Sequence, residues 1–155
     1  MQLYRESCSG NNRGSAHRYG ADMADPSDAD SVTIYDAAGG MEFFSGLVDA
    51  FYRHVAADEA LLSLYPDPVD LGPARERLTL FLAQYWGGPT TYSDERGHPR
   101  LRMRHVPFAI DADARDRWLA AMAAALDEMA PPQVLRERFD AYFAMSAPAM
   151  QNIAD

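Results

Sequence analysis

The fold is decided by the stretch FLAQYWGGPTTYSDERGHPRLRMRH, residues 81–105. Its first residues continue an apolar helical face, which ends at Gly87-Gly88-Pro89 because glycine permits a sharp turn and proline cannot extend a helix. The next segment, residues 90–99, contains Gly, Pro, Ser and Asp and predicts a loop. A second short segment with a helical pattern then ends the stretch at His105. We therefore expect a helix, a forced stop and a second helix here.

The second segment, residues 100–108, has room for one or two helical turns. Its apolar face carries Leu101, His105 and Phe108 at the i, i+4, i+7 spacing. A histidine on such a face is most often a satisfied core residue, so spacing alone leaves the role of His105 open between packing and ligand binding. His54 differs, because it lies beside the apolar stripe of its helix and is expected at the surface or its boundary.

Basic residues are concentrated in the same region. The chain has 155 residues, 23 acidic and 14 basic side chains, and a net charge of −9. Residues 96–105 nevertheless carry four arginines and no acid. Such a run is either a solvated face or a site for a small anion, since guanidinium groups bind carboxylates bidentately. The acidic balance of the chain argues against nucleic acid and against an anionic membrane as partners.

The composition excludes several chemistries. The 14 basic residues are all arginines, so no lysine is present for a Schiff base or a phosphate-binding loop. The single cysteine, Cys8, allows neither an internal disulfide nor covalent haem attachment through C-x-x-C-H. A cytoplasmic location is the default expectation. Residues 1–31 lack apolar periodicity and predict a disordered extension, followed by one domain over residues 32–155.

Apolar residues at helical spacing recur throughout this domain, and no segment alternates with period two. The predicted fold class is therefore all-α. In addition to the short segment at 100–108, helices are expected at residues 35–38, 44–55, 58–65, 78–85, 111–129 and 131–150.

Three large aromatic side chains with polar atoms lie on or next to separate helices: Tyr52, Tyr65 and Trp118. Buried tyrosine and tryptophan need hydrogen-bond partners, which backbone carbonyls often supply. Core packing is therefore one interpretation of these residues. The other is that three polar groups point into one pocket.

Taken together, these segments resemble the group II truncated haemoglobins, a family of shortened bacterial globins. The resemblance covers residues 33–150. Four stretches carry it: Phe51-Tyr52, Tyr65-Pro66, residues 81–89 and residues 91–105. It implies a two-over-two helical sandwich around non-covalent haem b.

The resemblance also implies the roles of individual residues. His105 corresponds to the proximal iron ligand, whose other ring N–H can donate to a backbone carbonyl such as that of Leu101. Ala74 stands where ordinary globins often have a distal histidine. The distal pocket corresponds to Tyr52, Tyr65 and Trp118. The remaining haem contacts expected are Arg77, Tyr92 and Arg104 for the propionates, and Leu78, Phe81, Leu101 and Phe108 along the walls.

The implied function is tight binding of oxygen and other diatomic ligands at a five-coordinate, His-ligated iron. Such a globin is a poor carrier and suits redox chemistry, such as nitric oxide dioxygenation or peroxide reduction, supported by an unidentified reductase. The alternative is oxygen storage or ligand sensing without turnover. A haem-free helical interaction protein is a third class. A homodimer is left open beside a monomer, since the sequence identifies no dimer interface.

Overall fold

The structure of the chain is a computed structural model that describes residues 31–154. The disordered extension expected over residues 1–31 lies, apart from Ser31, outside the described residues, as does Cys8. In the described part all regular elements are helices, which confirms the predicted all-α class. In chain order they are α1 (Ile34–Ala38), α2 (Gly40–Ala57), α3 (Glu59–Leu62), α4 (Gly72–Tyr85), α5 (Thr91–Arg96), α6 (Leu101–His105), α7 (Ala112–Met129) and α8 (Gln133–Met150).

Several helix ends follow directly from local sequence. The Asp111 carboxylate accepts a hydrogen bond from the Ala114 N–H at 2.8 Å and caps the start of α7, as the sequence predicts. Asp58 caps α3 in the same way through the Leu61 N–H, at 3.1 Å. Gly39 adopts a φ of 116°, which lets α1 end and α2 begin without an intervening loop.

The core is built around α2. Its buried side chains include Phe44, Leu47, Val48, Phe51 and Val55, each at 0% exposure. Helix α2 packs on α4 and on α7, and α7 packs on α8. Two helix pairs, α2 with α4 and α7 with α8, are thereby stacked on one another, which is the two-over-two arrangement expected from the sequence. In the described part, no helix is long and apolar enough to cross a membrane.

The expectation of a loop over residues 90–99 is wrong, because residues 91–96 form α5. Contacts from α4 hold this helix. The Gln84 side chain accepts from the Ser93 backbone N–H at 2.9 Å and donates to the Ser93 hydroxyl at 2.6 Å. Tyr92 is buried against Phe81, with their ring centroids 5.6 Å apart. Tertiary contacts of this kind override a weak local helix preference.

Helix α3 is shorter than the predicted helix over residues 58–65. It ends at Leu62, and the chain continues as a turn to Tyr65. The backbone N–H groups of Leu64 and Tyr65 donate to carbonyls three residues back, at 3.2 and 3.1 Å. The last residues before Pro66 therefore follow the tighter i to i+3 pattern that often ends a helix.

The stop after α4 brings α1 close to the end of that helix. The Tyr35 N–H donates to the Trp86 carbonyl at 2.9 Å, and the Gly88 N–H donates to the Ala83 carbonyl at 2.8 Å. A Cβ added at Gly88 would lie 2.6 Å from the Tyr35 ring and 2.8 Å from the Ala83 carbonyl oxygen. Glycine is therefore required here for close approach.

We predict that Gly88→Ala lowers the free energy of unfolding by about 1–3 kcal/mol, because the new methyl group displaces backbone and ring atoms. The matched control is Gly46→Ala within α2, where the added Cβ meets only the flexible end of Met129, at 2.9 Å. That control should stay within about 1 kcal/mol of the wild type. Denaturant unfolding measures both, and equal stability of the two variants would contradict the packing argument.

Candidate functional site

A cavity of about 490 Å³ lies inside the sandwich, and every helix from α2 to α8 contributes to its wall. It brings together all the site residues singled out from the sequence. These are Tyr52, Tyr65, Arg77, Leu78, Phe81, Tyr92, Leu101, Arg104, His105, Phe108 and Trp118. Ala74, at the position of the distal histidine of ordinary globins, lines it too.

The His105 ring is held in one orientation on the cavity wall. Its Nδ1 lies 2.7 Å from the Leu101 carbonyl oxygen, the hydrogen bond anticipated from the sequence. Because a carbonyl only accepts, Nδ1 is the donor in this hydrogen bond, so in the neutral ring the lone pair is on Nε2. Nε2 has no hydrogen-bond partner within residues 31–154. An imidazole in this tautomer can bind a metal through Nε2.

Asn152, just beyond α8, fastens the other side of α6. Its amide donates to the backbone carbonyls of His105 and Phe108, at 3.1 and 2.8 Å. Its side-chain oxygen accepts from the Ile110 N–H at 3.0 Å. Asn152 was not predicted from the sequence, since a lone asparagine after the last helix carries no pattern that marks it.

A second group of polar side chains lies deeper in the cavity wall. Tyr52, Tyr65 and Trp118 each contribute one O–H or N–H group, and the two phenol groups influence each other's ionisation. Burial raises the pKa of Tyr52 to about 12, against a smaller lowering effect of the neighbouring Tyr65 hydroxyl. Burial also raises the pKa of Tyr65 well above its ordinary value. Both phenols therefore keep their protons at neutral pH.

The same three aromatics also pack as core residues. The Trp118 ring centroid lies 5.0 Å from that of Phe51 and 5.6 Å from that of Phe143. The Tyr52 and Tyr65 rings meet edge to face, with centroids 5.7 Å apart. The two interpretations from the sequence, packing and a shared polar pocket, are thus both features of one cluster.

Arginines without ion pairs lie along the cavity. Arg77, Arg96 and Arg104 line it, and none of them is paired with an acid in the described part of the chain. Arg104 instead donates to the backbone carbonyls of Pro99 and Arg96, at 2.7 and 2.9 Å, and so fixes the connection between α5 and α6. By contrast, Arg136 on α8 bonds two aspartates. Unpaired guanidinium groups beside a cavity are suited to binding an anionic ligand.

The last turns of α8 form a wall of the cavity that was not predicted from the sequence. The residues concerned are Phe143, Ser146, Ala147 and Met150. Phe143 and Met150 lie on the apolar stripe of the helix, a pattern that a core helix and a cavity-lining helix share. The small side chains of Ser146 and Ala147 were the available signal, because they leave space beside that stripe.

A two-over-two helical sandwich around an apolar cavity with one prepared histidine defines a globin. A family model described as Bacterial-like globin matches residues 33–152. Group 2 truncated hemoglobin YjbI of Bacillus subtilis is 42% identical over 103 residues, which cover 66% of this chain and 76% of that protein. The chain belongs to the bacterial-like globin family, as a truncated haemoglobin of group II.

Solved structures support the same assignment. The thermostable hemoglobin of the actinobacterium Thermobifida fusca superposes with a TM-score of 0.77 at 55% identity, covering 79% of this chain and 98% of that one. The truncated oxygen-avid haemoglobin of Bacillus subtilis gives 0.73 at 38% identity, covering 78% and 100%. Globins of this family bind oxygen and other diatomic ligands, and their cofactor is haem b.

The residues of this cavity fit that cofactor. No group of three His, Cys, Asp or Glu side chains within residues 31–154 could hold a bare metal ion. A single histidine with a free Nε2 matches an iron whose other ligands come from a macrocycle. The apolar walls suit the macrocycle, and the unpaired arginines suit its two carboxylates.

We predict that Asn152→Ala speeds amide hydrogen exchange over residues 101–110, because two carbonyls lose a donor and the Ile110 N–H loses an acceptor. At about 1 kcal/mol for each hydrogen bond, the exchange should accelerate by roughly fivefold or more. Gln133→Ala is the control, since that amide bonds only the exposed Glu137. Unchanged protection of residues 101–110 would show that Asn152 does not fasten this segment.

Proposed function

We propose that this truncated haemoglobin binds oxygen tightly, at a haem iron whose only protein ligand is His105, and performs redox chemistry on the bound ligand. Nitric oxide dioxygenation and peroxide reduction are the two candidate reactions. When bound, the haem supplies the iron that holds the diatomic ligand and exchanges electrons with it. The observation that carries the proposal is that Tyr52, Tyr65 and Trp118, each with one O–H or N–H group, line the same cavity as His105.

On the proximal side, the chain prepares the ligand before the cofactor arrives. The Leu101 carbonyl holds the Nδ1 proton, so His105 presents Nε2 without a change of tautomer. Asn152 holds the His105 carbonyl on the other side of the helix end. Little ordering therefore remains to be done when the iron binds.

On the distal side, Tyr52, Tyr65 and Trp118 supply neutral donors to a ligand that gains negative charge from the iron. Each hydrogen bond contributes about 1 kcal/mol net, so three would slow ligand loss on the order of a hundredfold, allowing for non-additivity. The raised pKa of Tyr52, about 12, keeps its proton available through mildly alkaline pH. The similar protein from Bacillus subtilis that is described as oxygen-avid supports tight binding.

The rim residues Arg77, Tyr92 and Arg104 are assigned to the haem carboxylates. Arg104 uses Nε and Nη2 on backbone carbonyls, which leaves Nη1 for a carboxylate. Leu78, Phe81, Leu101 and Phe108 are assigned to the apolar faces of the macrocycle. Since redox turnover consumes electrons, the proposal includes a reductase. A cytoplasmic location and a homodimer stay predictions.

His105→Ala should release haem faster by at least roughly tenfold and change the ferrous visible spectrum, because the iron loses its protein ligand. His54→Ala is the matched control. That histidine lies outside the cavity and bonds Glu128 at 2.6 Å. Transfer of haem to an acceptor apoprotein measures the loss. A variant with normal haem content and an unaltered spectrum would refute the assignment.

Trp118→Phe and Tyr65→Phe should each raise the oxygen dissociation rate by about fivefold, because each removes one donor worth about 1 kcal/mol. Tyr35→Phe is the control, since Tyr35 stacks on Phe44 and does not line the cavity.

Stopped-flow mixing of the oxygenated wild type with nitric oxide and with peroxide tests turnover. Rapid consumption supports the redox function, whereas a stable, unreactive complex favours storage or sensing.

A further inference from the structure

Helix α6 and the residues that flank it carry a group of exposed side chains. We define the proximal patch as Arg100, Arg102, Met103 and Val106. Met103 is 65% exposed and Val106 is 70% exposed, and both arginines are exposed as well. None of the four lines the cavity. The patch therefore combines two large apolar side chains with two cations on the helix whose other face holds His105.

Ion pairs with other residues of the described chain do not account for the two arginines of the proximal patch. Neither Arg100 nor Arg102 makes an ion pair within residues 31–154, although Arg53, Arg75 and Arg117 do so elsewhere on the surface. Arg100 also has a φ of 43°, in the left-handed region that favours glycine. An arginine at such a position costs on the order of 1 kcal/mol relative to a relaxed backbone.

We propose that the proximal patch is the docking surface for an electron-donor protein whose redox centre is surrounded by acidic residues. This inference rests on the redox function proposed above. A partner seated on α6 is separated from the haem-binding cavity by a single helix, roughly 10 Å across. One electron leaves the donor, which is oxidised, and reduces ferric iron to ferrous iron. No covalent bond is broken in this step, and no proton moves.

The chemistry of the patch favours a protein over other anionic partners. Methionine and arginine are enriched at protein interfaces, where an apolar centre is surrounded by a polar rim. Of the four arginines in residues 96–105, Arg96 and Arg104 line the cavity. The two that remain are fewer than the four to eight or so basic residues that anionic lipid surfaces recruit. Because the chain as a whole carries a net charge of −9, an acidic partner is repelled by most of its surface and is oriented onto this patch.

The test uses the full-length, haem-loaded protein and a plant-type [2Fe–2S] ferredoxin, an acidic electron carrier, as the probe. Arg102→Glu should lower both the affinity for oxidised ferredoxin, measured by calorimetry, and the rate of reduction by reduced ferredoxin, each by roughly tenfold. Arg138→Glu is the matched control, since it makes the same charge change at an exposed position on α8. It should leave both quantities within about twofold. Dithionite should reduce all three proteins equally.

Several outcomes would overturn the docking surface. One is that Arg102→Glu and Arg138→Glu lose affinity and reduction rate equally. Another is that the affinity for ferredoxin does not depend on salt. The third is that ferredoxin does not bind the wild type. Arg102-dependent binding to phosphatidylserine vesicles without binding of ferredoxin would assign the patch to a membrane instead. The two proposals fail separately. If ferredoxin reduces the protein rapidly through the patch but the oxygenated protein does not react with nitric oxide or peroxide, only the redox function is refuted. If the protein turns over but ferredoxin reduces Arg102→Glu at the wild-type rate, only the docking surface is refuted.

Discussion

The hydrogen bond between the His105 ring and the Leu101 carbonyl is the interaction on which the rest of the site depends. It fits within one turn of α6, so it needs a helix there, however short. That helix needs the stop at Gly87-Gly88 and the pinned connection through Arg104, which together place α6 under the cavity. The sandwich provides the volume, and this one bond determines which nitrogen faces it.

The distal cluster shows how a small domain combines packing with polarity. Trp118 packs between Phe51 and Phe143 and also lines the cavity. Because each ring is fixed by neighbours, the donors do not have to be ordered when a ligand arrives, and the cost in conformational entropy has been met during folding. Rigid aromatics with one polar atom suit this purpose better than long flexible side chains.

Much of this architecture follows from the sequence, and the misses share a cause. Helical periodicity and the Gly and Pro stops predict the fold class. The family resemblance carried by residues 81–105 predicts a set of site residues, and the structure places them all along one cavity. Helix α5 was missed because Gln84, on another helix, holds Ser93. Asn152 was missed because its partners lie more than 40 positions away. Such long-range polar contacts leave no periodic trace in a single sequence, whereas apolar faces do.

The connection from Asn152 back to His105 also has a consequence for biosynthesis. A five-residue helix is not stable on its own, so α6 is held in its conformation by side chains from other parts of the chain. The hydrogen bond to the carbonyl of its last residue, His105, comes from Asn152, 47 positions downstream. As the chain leaves the ribosome, α2, α4 and α7 can assemble while the proximal segment is still unfastened. Firm capture of the cofactor at His105 is therefore expected only after α8 and Asn152 have been synthesised.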